Sequence, residues 1–178
     1  MRFSLEDARA VLSRTPATLR ALCSGVGDAW TEPDYGPGTW SVREIIAHLV
    51  FNERTDWIPR LKIVLVHGES RPFDPFDRAG HKDMLGTHTL GRLLDVFEEE
   101  RAQSLAALDQ LKLTAADLER RGLHPALGPV TAANLMAAWV VHDLNHVAQA
   151  CKAMAYQYKG EVGPWEQYLS ILAEPRPR

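Results

Sequence analysis

The stretch Trp40-Ser41-Val42-Arg43-Glu44-Ile45-Ile46-Ala47-His48-Leu49-Val50 holds the clearest helix start in the chain. Ser41 and Glu44 stand at the spacing of a capping box, with Trp40 at the staple position before them. Val42, Ile45, Ile46, Leu49, Val50, Ile58, Leu61 and Leu65 then recur at helical spacing. The pattern predicts a helix reaching about His67-Gly68 and kinked at Pro59, since proline removes a backbone donor.

On the N-terminal side, residues 25–40 hold four glycines and two prolines and read as a loop. Before that loop Leu5, Ala8, Val11, Leu12, Leu19 and Leu22 keep a helical register interrupted at Pro16. Either the helix kinks there, or Thr15 caps a second short helix with Pro16 at its first position. On the C-terminal side, residues 68–88 mix Gly, Pro, Asp and Phe, a long loop of the kind that forms lids or pocket walls. A third helix starts near Thr89 and carries Leu90, Leu93, Leu94, Phe97, Leu105, Leu108 and Leu111. Thr114 caps a short extra turn, and a Gly/Pro loop at 122–130 leads to Thr131, which caps the long segment 132–158. Pro164 begins a last short helix through Leu172, and the tail 174–178 is expected to fray. No segment reads at period two and no internal repeat is evident. The expected fold class is all-α: an up-and-down four-helix bundle with short accessory helices, forming one domain over 1–178.

The whole-chain composition narrows the function classes. Apolar residues make up 46% and charged ones 24%, which is a globular rather than a disordered balance. The formal net charge is −3 with no Lys/Arg cluster, so direct nucleic-acid binding is not expected. No apolar run nears the roughly 18 residues of a membrane span. Cys23 and Cys151 lack metal or disulfide-framework spacing. With no signal layout in the first residues, the expectation is a cytoplasmic, reduced protein.

Chemistry concentrates in Trp139-Val140-Val141-His142-Asp143-Leu144-Asn145-His146-Val147-Ala148-Gln149. On a helix, His142 and His146 lie about 40° apart in azimuth and roughly 6 Å apart along the axis, so both imidazoles can reach one ion. Gln149 returns to the same stripe, where it could line the pocket or hold a ligand water. His48 is the best third ligand: it borders the apolar face of its helix, and Asn52 and Thr55 continue a polar line below it that suggests a wet cavity. The plainer reading stays beside this one, because a single inward histidine is usually a hydrogen-bonded core residue and an HxxxH pair recurs in helices without metal. His67, His81, His88 and His124 fall in loops or at helix ends and read as solvated surface. Cys151 lies half a turn from His142, off the site, and Cys23 reads as a small core residue.

Taken together, Thr39-Trp40-Ser41-Val42-Arg43-Glu44-Ile45-Ile46-Ala47-His48-Leu49, Asn52-Glu53-Arg54, His142 through Gln149 and Gly163-Pro164-Trp165 resemble the DinB-like superfamily of metal-binding four-helix bundles over nearly the whole chain. The resemblance implies a metal triad of His48, His142 and His146 holding one divalent ion, with zinc, nickel and iron all suited to imidazole. It also implies relatives that include thiol-dependent transferases, isomerases and hydrolases. The resulting expectation is a metal-dependent enzyme acting on a small molecule, with a low-molecular-weight thiol as a candidate partner. The alternatives are a non-catalytic metal-binding bundle or a homodimeric interaction module. No general base is assigned, although Asp143, Asn145, Gln149, Glu53 and Asp56 come near the site by spacing. The 68–88 loop and the residues around Trp40 are expected at the pocket mouth.

Overall fold

The computed structural model describes residues 2–173, so the tail expected to fray lies outside the described residues. The N-terminal helical stretch is two helices, α1 (Leu5–Leu12) and α2 (Thr15–Cys23). The break follows from Pro16: it has no N–H, so the Leu12 carbonyl loses the donor four residues on. A short helix, α3 (Asp28–Thr31), lies within the 25–40 loop. The capping box forms as expected, with Ser41 Oγ accepting from the Glu44 N–H at 3.2 Å and the Glu44 carboxylate accepting from the Ser41 N–H at 2.8 Å. It opens α4 (Val42–Thr55), and α5 (Trp57–His67) follows. The break sits at Asp56 rather than at Pro59. Pro59 cannot donate to the Thr55 carbonyl, so the lost hydrogen bond loosens the turn before the proline, not the proline itself.

The remaining elements are α6 (Leu90–Leu111), α7 (Ala115–Leu118) and α8 (Ala132–Tyr156), capped by Thr89, Thr114 and Thr131. Between α7 and α8 stands a feature that periodicity did not predict. It is an antiparallel hairpin of β1 (Arg121–His124) and β2 (Gly128–Thr131), with Arg121 opposite Thr131 and His124 opposite Gly128. Four residues per strand are too few to show an alternation in sequence, and Gly122 and Pro129 dilute it further. The long 68–88 segment contains 3₁₀ turns at Gly68–Ser70 and Gly80–Met84 and is pinned to β1 by the Phe73 N–H donating to the Leu123 carbonyl at 2.9 Å. The C-terminal stretch is a pair of 3₁₀ turns, Gly163–Tyr168 and Ser170–Leu172.

The fold is all-α in class: a four-helix bundle built from the α1/α2 pair, the α4/α5 pair, α6 and α8. Helix α2 packs on α6 and α8, and α4 packs chiefly on α6, with α8 and the Gly80–Met84 turn also against it. The core has two apolar clusters. One gathers Leu19, Ile45, Leu49, Leu93 and Phe97; the other gathers Leu12, Leu61, Leu105, Met136 and Trp139. The breaks after α1 and α4 divide each paired helix between the two clusters. At the waist lies Arg101, a fully buried guanidinium. Its Nη1 donates to the Leu12 carbonyl freed by Pro16 at 2.7 Å and to Asp143 at 2.6 Å, and its Nη2 donates to Glu53 at 2.8 Å. No helix among the described residues is long and apolar enough to cross a membrane.

Candidate metal centre

The histidines of α4 and α8 meet on one side of this waist. His48 Nε2 lies 3.2 Å from His142 Nε2, and His146 Nε2 lies 3.1 Å from the same atom. All three nitrogens fall within 4.8 Å of one another, and no fourth His, Cys, Asp or Glu among the described residues joins them. The four-residue step within one α8 face supplies two of the rings, and the packing of α4 on α8 supplies the third.

Electrostatics keeps the rings neutral. Burial, with the neighbouring imidazoles adding to it, pushes His48 down to about 3 and His142 to about 2. Burial also lowers His146, against the opposing pull of its Gln149 hydrogen bond and of Asp143. His146 Nδ1 meets Gln149 Oε1 at 2.8 Å. An amide oxygen only accepts, so the proton sits on Nδ1 and the Nε2 lone pair faces the other two rings. Neutral imidazole is the ligand form, and three Nε2 atoms converging on one point suit a divalent cation better than one another, since neighbouring lone pairs repel. Aromatic rings wall the group: Trp40 lies nearly parallel to His146, Trp57 stands edge-on to His142, and Phe76 edge-on to His48.

The triad forms the floor of a cleft of about 570 Å³ whose walls include Tyr35, Trp40, Asn145, Gln149 and Lys152. Several expectations change here. Asn52 does not line the cleft; its amide donates to the His48 carbonyl within the helix, and Thr55 is exposed, bonded to the Phe51 carbonyl. The polar line below His48 is therefore helix-internal bonding rather than a wet cavity. Trp40 does stand at the mouth, but the 68–88 segment packs behind His48 instead, through Phe76 and His81. His81 is not surface: it is fully buried against Trp40 and His48. His88 and His124 are half-buried and His67 is exposed. Asp143 and Glu53 are bound to Arg101, and Asp56 to Arg60, so none of these carboxylates faces the cleft. Cys23 is a core residue whose thiol burial pushes up to about 11.

Arg101, Tyr35 and Lys152 escaped the sequence reading. Arg101 did leave a signal, because it interrupts the apolar register of α6 four residues after Phe97 and four before Leu105. A charge in that position calls for buried partners. Tyr35 comes from a loop, and Lys152 is six residues past His146, so neither carries a local signal.

Residues 12–150 match the family model of the DinB superfamily. A protein of Bacillus subtilis (strain 168) named "Putative metal-dependent hydrolase YfiT" is 26% identical over 141 residues, covering 78% of this chain and 77% of that one. The solved structure of YfiT from Bacillus subtilis, described as a four-helix bundle of unusual topology, superposes with a TM-score of 0.71. That match has 24% identity and covers 86% of this chain and 89% of that chain. The crystal structure of the mycothiol-dependent maleylpyruvate isomerase superposes with a TM-score of 0.62 at 16% identity, covering 95% of this chain and 66% of that chain. The two structural likenesses concern the fold. Since the matched residues 12–150 span most of the 178 and include all three converging histidines, the chain belongs to the DinB superfamily.

Proposed function

We propose that His48, His142 and His146 hold one divalent metal ion and that the protein is a metal-dependent enzyme acting on a small molecule bound in the adjoining cleft. The observation that carries this reading is the convergence of three neutral Nε2 atoms within 4.8 Å on the floor of an open cleft. Three protein ligands with one open side are the arrangement of catalytic sites, whereas bracing sites close with four. When bound, the ion supplies Lewis acidity that brings a water or a small thiol toward ionisation near neutral pH. The chain's own residues do the rest. Gln149 fixes the His146 tautomer, the aromatic walls restrict water, and Asn145 and Gln149 present amide groups for orienting a substrate.

Glu53, Asp56 and Asp143 are all tied to arginines, and no carboxylate among the described residues lines the cleft as a general base. That favours a nucleophile acidified directly by the ion, whether water, as in a hydrolase, or a low-molecular-weight thiol, as in an S-transferase. The name of the Bacillus subtilis relative supports the first of these.

The testing experiment is elemental analysis of tag-free protein beside His48→Ala, His142→Ala and His146→Ala. Near-stoichiometric metal in the wild type and its loss in each variant is the expected result. A folded wild type that stays metal-free after zinc, nickel and iron challenge would sink the reading. A substrate screen with and without added thiol then separates hydrolysis from thiol transfer.

A second reading, pairing of two copies, has its own observation. From Ala132 to Cys151 the only Asp, Glu, Lys or Arg on α8 is the buried Asp143, and Val141 and Leu144 are 64% and 52% exposed on its outer face. Apolar stripes of this kind mark interaction surfaces. Light scattering should show a dimer that Leu144→Lys converts to monomer; a monomeric wild type at high concentration rejects it.

A further inference from the structure

The cleft has a charge pattern that the metal triad does not explain. The chain carries 23 acidic against 20 basic Lys and Arg residues, yet among the described residues no acidic one lines the cleft and one lysine does. Lys152 sits on the α8 wall, and its Nζ donates to the Ala173 carbonyl at 2.7 Å. The same ammonium lies 5.7 Å from the Tyr35 ring centroid and 5.5 Å from that of Tyr156. Among the described residues no carboxylate pairs with it. An ammonium has three donors. One goes to Ala173, so two remain for a ligand, and the aromatic faces hold the cation in place without neutralising it.

The position also sets a distance. Lys152 lies six residues beyond His146, a rise of about 9 Å along the helix axis. Asn145 is seven residues before Lys152 and shares its stripe, and Gln149 bridges the step between triad and lysine. A ligand lying along this wall meets the triad with Asn145 beside it at one end, the Gln149 amide in the middle and a cation at the other.

We infer that the cleft takes a carboxylate-bearing small molecule, whose reacting end faces the triad while its carboxylate pairs with Lys152. This rests on the metal reading for which end reacts, but the carboxylate pairing is a property of Lys152 alone. A lysine that only strapped the C-terminal segment through Ala173 would affect stability and leave ligand charge preference untouched.

The experiment is calorimetric titration of zinc-loaded protein with 3-mercaptopropionate, 6-mercaptohexanoate and 8-mercaptooctanoate, each beside the uncharged mercapto-alcohol of equal length. The wild type should bind the longer carboxylates on the order of tenfold tighter than their alcohols, as a charge-assisted hydrogen bond supplies. Lys152→Met should abolish that preference and Lys152→Arg should keep it, with thermal melts confirming that both are folded. Equal affinity of acid and alcohol at every length, no binding of either series, or a preference that survives Lys152→Met overturns the inference. Failure of the metal reading shows separately, as alcohols that bind His142→Ala as well as they bind wild type.

Discussion

At the scale of single residues, Gln149 is the clearest case of a side chain acting through another. Its Oε1 accepts a hydrogen bond from the Nδ1–H of His146 and so points the Nε2 lone pair at His48 and His142. Replacing it with leucine keeps the size and removes the acceptor. Gln149→Leu should weaken metal affinity by roughly 10–100-fold, as loss of an outer hydrogen bond to a ligand does, with little change in melting temperature. Competition with a chelator of known affinity measures it, and unchanged affinity would deny Gln149 this role. His81 shows the opposite lesson. A histidine in a Gly/Asp-rich segment looks solvated, yet tertiary packing buries it wholly against Trp40 and His48.

Among the elements, the broken helices and the hairpin carry the consequences. Because Pro16 leaves the Leu12 carbonyl without a helical donor, Arg101 satisfies it while bridging Glu53 and Asp143. Burial lifts the Glu53 carboxyl above the ordinary range despite the pull of Arg101. Arg101→Ala should therefore cost about 3–5 kcal/mol, since it strands buried acceptors at the waist of the bundle. Urea unfolding is the readout, and a loss under roughly 1 kcal/mol would mean water replaces the guanidinium at little cost. In the hairpin, a Cβ at Gly122 would come within 2.7 Å of Val64 Cγ2 and 3.0 Å of Phe73 Cε1. Gly122→Ala should destabilise by about 1–3 kcal/mol through overpacking, while leaving metal content intact, because the hairpin and the triad share no residue. Parallel melts and metal analysis check both halves of that statement.

For the molecule as a whole, the buried histidines tie stability to pH in protein stripped of metal. His48 and His142 are held at about 3 and about 2, against about 6.5 in the unfolded chain. The unfolded state therefore binds more protons below that value. Stability is fully present above pH ~6.5 and falls as pH drops toward the folded values, by roughly 1 kcal/mol per pH unit for each histidine. Denaturation midpoints of chelator-treated protein across this range should slope accordingly, and His142→Ala should flatten the slope. A wild-type midpoint independent of pH between 6.5 and 4.5 would mean that the rings are not buried together.

The sequence by itself determined the helices, most of their caps, and the pair His142 and His146, because capping, apolar periodicity and the four-residue step are local rules that act within a turn or two. It also pointed to His48 through the border of an apolar face. Only the tertiary structure decided that Arg101 sits between Glu53 and Asp143, that His81 is buried, and that Tyr35 and Lys152 share a cleft. These depend on residues from separate elements, in several cases dozens of positions apart, meeting in space. A side chain's partner across a bundle is set by the packing of whole helices, which no local spacing encodes.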